Sequence, residues 1–262
     1  MNEFRWTPFF TLLTKENKRF LKVAKQTLLI PIVNSSLYLL IFGVSLGENI
    51  KVGGTGGYLA FLIPGILMMG VLNNAFQNSS SSIGTSRFHG DLEDLRTVPL
   101  SPYQIVLAMS LGGLTRGLSV GFLIFLVGQV FYYFTFKEFL GVTNPGALIF
   151  FLVTGGLAFA NLGISVGFWA KNFDQLTAVG GFVLLPLLYL GGVFFSLSHM
   201  HPFWQVISQA NPMLYFINGV RYGFLGTSDI PPWTSALVSF FTTMALFLFA
   251  FRKVKNGQYG RW

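Results

Sequence analysis

The sequence predicts an all-α membrane protein with six transmembrane helices, an N-terminal amphipathic helix at the membrane interface and a re-entrant helical pair before the last span. Three observations predict it. Only 10% of the 262 residues are charged and 52% are hydrophobic, against roughly 25% charged in a typical soluble domain, so the chain lacks the polar residues to coat a soluble fold. Six apolar runs each reach the roughly 20 residues that a helix needs to cross a bilayer. Thirteen of the seventeen Lys and Arg residues fall in four stretches that alternate with these runs. The stretches are the N-terminal arm (Arg5, Lys15, Lys18, Arg19, Lys22, Lys25), the segment around Arg87 and Arg96, the turn at Lys171, and the tail (Arg252, Lys253, Lys255, Arg261). Lys and Arg accumulate in cytoplasmic loops, so both termini are assigned to the cytoplasm of a bacterial inner membrane.

Taken in order, residues 8–26 mix Phe9, Leu12, Leu13, Phe20, Leu21 and Val23 with five basic residues, the pattern of a helix lying along the headgroups. The first 19 residues are too polar for a cleaved signal peptide. The spans are expected at 27–46, 58–77, 105–134, 146–169, 175–195 and 233–251. Pro31 is tolerated near the start of the first, and Pro186 kinks the fifth. The glycines at 53, 54, 56 and 57 make a flexible turn, because they lack the Lys-Ser/Thr that closes a phosphate loop. The third span exceeds one crossing and must tilt or protrude. In the fourth, Gly155, Gly156, Ala158, Ala160, Gly163 and Gly167 allow close helix approach. Arg252 and Lys253 stop the sixth.

Two segments between the spans carry more information. Residues 83–98 are the longest charged insertion; they predict a cytoplasmic helix ended by Pro99 and Pro102. Residues 196–230 contain breaks at Pro202, Asn211 and Pro212, and polar Arg221 and Asp229, yet are apolar elsewhere. Short half-helices dipping into the outer leaflet against protein fit that mixture, since broken backbone at such depth needs protein or water to satisfy it.

No catalytic constellation is present. The absence of cysteine removes disulfides and thiolate metal sites. His199 and His201 lack a third metal ligand nearby. Asp91, Glu93 and Asp94 lack a partner base and a phosphate loop, so they read as a charged helix offered to a soluble partner. The net charge of +8 sits beside the spans, where it sets topology and meets anionic lipid, and does not point to nucleic acid. Arg116 is the one charge well inside a predicted span. It either contacts a substrate anion or a partner helix, or it snorkels to the headgroups.

Several blocks resemble the ABC-2-type permeases. They are Phe61-Leu62-Ile63-Pro64-Gly65-Ile66-Leu67-Met68-Met69 in the second span, Asp94-Leu95-Arg96-Thr97-Val98-Pro99-Leu100-Ser101 after it, and Tyr189-Leu190-Gly191-Gly192-Val193-Phe194-Phe195 near the fifth. Further on come Pro202-Phe203-Trp204-Gln205, Asn211-Pro212-Met213-Leu214-Tyr215 and Gly219-Val220-Arg221-Tyr222-Gly223. The resemblance implies a dimer of permease subunits working with two separate ATPase subunits, which would bind ATP and Mg, while this chain binds no cofactor. It also implies export of an amphipathic, lipid-like, glycan or drug-like cargo.

The chain has no Gly-x-x-x-x-Gly-Lys-Ser/Thr, so it cannot itself supply a P-loop ATPase. The expected coupling residues are Asp91, Leu92, Glu93, Asp94, Leu95 and Arg96, with Leu92 and Leu95 seated in a groove of the ATPase. The expected signature residues are Gly191, Gly192, Pro202, Asn211, Pro212, Tyr215 and Arg221. The cargo path is expected between two copies, lined by spans one, two and five. A passive channel is disfavoured because no span repeats a polar face. A simple membrane anchor would not need the kinks or the broken segment.

Overall fold

The computed structural model describes residues 6–45, 57–257 and 259, leaving the side chains of Gln26 and His199 aside. Arg5, Lys51, Arg261 and the glycines at 53, 54 and 56 lie outside the described residues. The helices are α1 (Trp6–Lys22), α2 (Ala24–Tyr38), α3 (Gly57–His89), α4 (Asp94–Thr97), α5 (Pro102–Phe136) and α6 (Pro145–Trp169). They continue as α7 (Phe173–Ala178), α8 (Leu185–Leu190), α9 (Pro202–Ala210), α10 (Pro212–Leu225) and α11 (Pro232–Asn256). π-helical turns at Leu39–Ser45 and Val179–Leu184 extend α2 and join α7 to α8. Six of the resulting segments are long and apolar enough to cross a membrane, and no strand occurs among the described residues.

Proline marks where helices begin. Pro102, Pro145, Pro202, Pro212 and Pro232 each open a helix, where the missing N–H costs nothing and the fixed φ already suits the first turn. Pro102 therefore starts α5 instead of ending a helix before it. Ser101 caps it: the Gln104 N–H donates to Ser101 Oγ at 3.3 Å, and the Ser101 N–H donates to Gln104 Oε1 at 3.0 Å.

The bundle is built around α3. In its most apolar window 83% of the residues are buried, against 22% in the first span and 17% in the fifth and sixth. Such a helix is apolar all round because protein, not lipid, surrounds it. It packs along α5 and α6, and α6 packs in turn on α10 and α11. Close approach needs small residues. A Cβ on Gly117 would lie 2.8 Å from the Val71 carbonyl oxygen, and one on Gly163 would run into the Phe76 carbonyl oxygen. The outer faces keep large apolar residues, Phe122, Phe182, Trp233 and Phe241 among them, fully exposed, as expected where the solvent is acyl chain.

The second span continues far beyond the expected residue 77. Asn74, Asn78, Ser79, Ser80 and Ser82 are buried in α3 instead of marking a polar end. The predicted helix over 83–98 is consequently split. Residues 83–89 finish α3, Gly90 reverses the chain at φ +88°, and a single turn, α4, follows. The fifth span ends at Leu190, five residues early, where Gly191 and Gly192 turn the chain. Replacing Gly163 by Ile should separate α3 from α6. We expect a lower thermal unfolding midpoint in detergent, by several degrees, and loss of monodispersity on gel filtration, while Gly146→Ile, in open space, changes neither.

Candidate functional site

A cavity of about 740 Å³ opens beside the central helix, bounded by α2, α3, α5, α7 and the turn that follows α7. The three spans expected to line the cargo path border it, and the third span adds Arg116. Its walls divide by chemistry. Asn73, Asn74, Gln77, Ser80 and Ser81 of α3 form a polar strip, because they recur at helical spacing on one side. Ile30, Ile66, Met69, Ile124, Leu176 and Leu185 supply its apolar surface, while Thr27, Asn34 and Ser35 of α2 and Thr177 of α7 add further polar groups. Arg116 is half-buried, and its Nη2 reaches Asn74 Oδ1 at 3.4 Å. It therefore faces the cavity.

The N-terminal helix closes one end. α1 packs on α5, where Gly112 has no side chain to obstruct Glu16; a Cβ there would come within 2.7 Å of the Glu16 Cβ. Glu16 is buried and accepts from Ser82 Oγ at 2.8 Å. Arg19 donates to the Asn78 carbonyl at 2.6 Å and to Asn78 Oδ1 at 3.0 Å, and lies 3.5 Å from Glu16. Arg19 then borders the cavity. These contacts were invisible to a reading that treated α1 as a surface helix. The run of amides and serines at 73–82 was the available signal.

The turn after α3 departs from expectation at Leu92. That residue is fully buried in its own bundle, in a cluster with Ile83, Ile105, Val106, Ile164 and Phe168. It is not free to enter a partner's groove. Leu95 packs half-buried against the same cluster. Asp91, Glu93, Asp94 and Arg96 remain exposed. The Arg96 guanidinium lies 4.8 Å over the Tyr259 ring, and burial pushes the Tyr259 phenol up, with Arg96 opposing. Tyr259 donates to the Val254 carbonyl and meets Phe168 edge-on. Arg87 anchors the base of the turn, donating to Ala170 O at 2.6 Å at the end of α6, where unsatisfied carbonyls attract cations.

Of the expected signature residues, Arg221 and Gly192 meet at the opposite end of α3. The Arg221 side chain is 2% exposed. It donates from Nη2 to the Gly192 carbonyl at 2.8 Å, lies 3.6 Å over the Phe61 ring, and has Asp229 Oδ2 at 4.0 Å. Asp229 also accepts from Ser196 Oγ at 2.6 Å and from the Leu197 N–H at 3.0 Å. Gly192 presents its carbonyl at φ +81°, in the left-handed region. Asn211 caps α10, accepting from the Met213 N–H at 3.0 Å, while its Nδ2 donates to Leu187 O at 2.6 Å and Pro212 follows as the first helical residue. Tyr215 donates to Gln209 O at 2.8 Å, bracing α10 against α9. Gly191 is buried against Ile217, and Pro202 is exposed at the start of α9. This half of the set holds parts of the chain together. Among the described residues, no three His, Asp or Glu side chains group closely enough to hold a metal.

A family model for ABC-2 type transporters matches residues 7–225. The chain belongs to that family. It is similar to the inner membrane transport permease YadH of Escherichia coli K12, 37% identical over 251 residues, which span 96% of this chain and 94% of the relative. It also resembles nodulation protein J of Neorhizobium galegae, at 28% over 235 residues covering 86% and 87% of the two chains. A third relative is the inner membrane transport permease YhhJ of Escherichia coli K12, at 27% over 195 residues, 70% of this chain and 50% of that one.

The Arg221 contacts predict non-additive mutations. Asp229→Ala removes the carboxylate beside a buried guanidinium and should cost about 3 kcal/mol. Thermal unfolding of Arg221→Ala and of the double variant completes the cycle. The double loss should fall well below the sum of the single ones.

Proposed function

We propose that this chain is the transport permease subunit of an exporter in a bacterial inner membrane, moved by a separate P-loop ATPase, two copies of each forming the working unit. The match to the ABC-2 transporters over most of the chain carries this reading. The names of two relatives, inner membrane transport permeases, support the location and the activity. ATP and Mg belong to the partner. On this reading both termini and the 90–101 turn face the cytoplasm, and α9 with α10 form the re-entrant pair near the outer surface. The cargo is amphipathic, whether lipid-like, glycan-bearing or drug-like, in keeping with a cavity whose lining combines a polar strip with apolar side chains.

The coupling step uses the exposed acids. Asp91, Glu93 and Asp94 meet basic groups on the ATPase, and a push on them reaches the bundle through Leu92 and Leu95, which are packed into it. Closure of the ATPase pair moves the spans only if this contact differs in energy between its two states. The burial of Leu92 makes the turn a rigid tooth and not a loose tether, since packed interiors transmit displacement.

Two experiments bear on this. Reversing Glu93 and Asp94 to Lys should cut ATPase co-purification about tenfold, the equivalent of about 1.4 kcal/mol, and abolish flux; wild-type yield and flux would refute the contact. Because the chain has no cysteine, single thiols report sidedness directly. A membrane-impermeant maleimide should label Thr227→Cys in intact cells and Glu93→Cys only after permeabilisation. The reverse pattern inverts the topology.

A further inference from the structure

Arg116 differs from the other deeply set arginines. Arg221 has a carbonyl at 2.8 Å, an aromatic face at 3.6 Å and a carboxylate at 4.0 Å. Arg87 has the Ala170 carbonyl at 2.6 Å. Arg116 has a long hydrogen bond of 3.4 Å to a neutral amide oxygen. Its buried Nε has no hydrogen-bond partner, which is also true of Arg221, but Arg221 has a carboxylate beside it and Arg116 does not. Among the described residues no carboxylate lies within ion-pair distance of it, whereas Arg19 has Glu16 at 3.5 Å. A half-buried guanidinium with no counter-charge is costly to keep inside a bundle, and the usual reason to retain one there is function.

The surroundings favour an anion there. Two guanidiniums line the cavity and no Asp or Glu does. Asn74 holds Arg116 in place: its Nδ2 donates to the Gly70 carbonyl at 3.0 Å, which turns its oxygen toward the guanidinium. The Gln77 amide on the same strip has a second N–H to donate to a further oxygen. Position along the helix fits as well. Arg116 lies about 30 Å from Phe136 at about 1.5 Å per residue, so with Phe136 at one edge of the hydrocarbon core the guanidinium reaches the other. That is where headgroup phosphates and carboxylates lie. A cavity of about 740 Å³ holds a headgroup and part of a chain.

We propose that this groove is an anion-headgroup site. It takes an amphiphile whose phosphate or carboxylate pairs with Arg116, and whose apolar part lies on Ile30, Ile66, Met69 and Leu185. The export reading is needed only to call this ligand cargo; the binding itself requires no ATPase.

The test uses the full chain, purified in a neutral detergent and titrated by thermophoresis with dioctanoyl phosphatidate, dioctanoyl phosphatidylcholine and inorganic phosphate. Phosphatidate should bind about tenfold tighter than phosphatidylcholine, as a charge-assisted contact requires, and inorganic phosphate should bind more weakly than phosphatidate while competing with it. Arg116→Gln should erase the preference and Arg116→Lys should keep most of it. Asn74→Asp supplies a neutralising carboxylate with Arg116 still present, and should erase the preference too; it serves if Arg116→Gln does not fold. No preference in the wild type, or a preference that survives both neutralising variants, as binding to the lysines of α1 would, overturns the proposal. Phosphate binding as tightly as phosphatidate overturns the amphiphile assignment. A failed ATPase contact at Glu93 and Asp94 leaves this result standing, and the reverse also holds.

Discussion

Everything in this fold depends on how closely α5 and α6 can approach the central helix α3. Lipid tails are as apolar as leucine, so helices in a bilayer gain little by hiding apolar surface from each other; they associate through packing and hydrogen bonds. Gly117 against the Val71 carbonyl and Gly163 against the Phe76 carbonyl set those distances. From that frame the rest follows. α6 brings its last carbonyls to Arg87, the Arg87 anchor fixes the base of the turn at Gly90, and Leu92 drops into the space between α3, α5 and α6. α1 seats over Gly112 and reaches the polar strip of α3 through Glu16 and Arg19.

Polar groups inside the bundle fall into two kinds. One kind is closed. Ser110 donates to Asn161 at 2.8 Å between α5 and α6, and Asn218 ties α10 to the chain ahead of α11 by donating to Ile230 O at 2.9 Å and Ser235 Oγ at 3.1 Å. Such pairs join elements that have little else to specify register, and they leave few donors for anything outside. The other kind is open: the amides and serines of α3 and the guanidinium of Arg116 face a cavity. The first kind explains stability, and the second is where chemistry with a ligand can occur.

The six apolar helices were legible in the sequence, because a bilayer demands length and low charge and tolerates little else. Their ends were less so. Pro102 reads equally as a stop or as the first residue of a helix, and only the Ser101–Gln104 pair decides it. Ser79 to Ser82 read as a polar end facing water, yet Ser79, Ser80 and Ser82 are buried against α1, α5 and α6. Leu92 reads as an exposed knob between acids, and its burial depends on helices distant in the chain. The cavity is a convergence of elements distant in the chain, so no local pattern announces it. Arg116 did stand out, by its charge in an apolar run, but its orientation depends on Asn74 of another helix.

The two helices along the open side of the cavity share a peculiarity. Leu39–Ser45 and Val179–Leu184 are both π-wound, an arrangement that is rare and is found chiefly as local bulges at working parts of proteins. Both segments belong to spans far less buried than α3; Pro31 lies inside α2, and Pro186 opens α8 directly after the second π-wound stretch. The molecule thus divides into a stiff spine of α3, α5 and α6 and two pliable staves. Changes in width at the mouth of the chamber can be absorbed by unwinding or tightening one turn in each stave, with the glycine-set spacings of the spine left untouched.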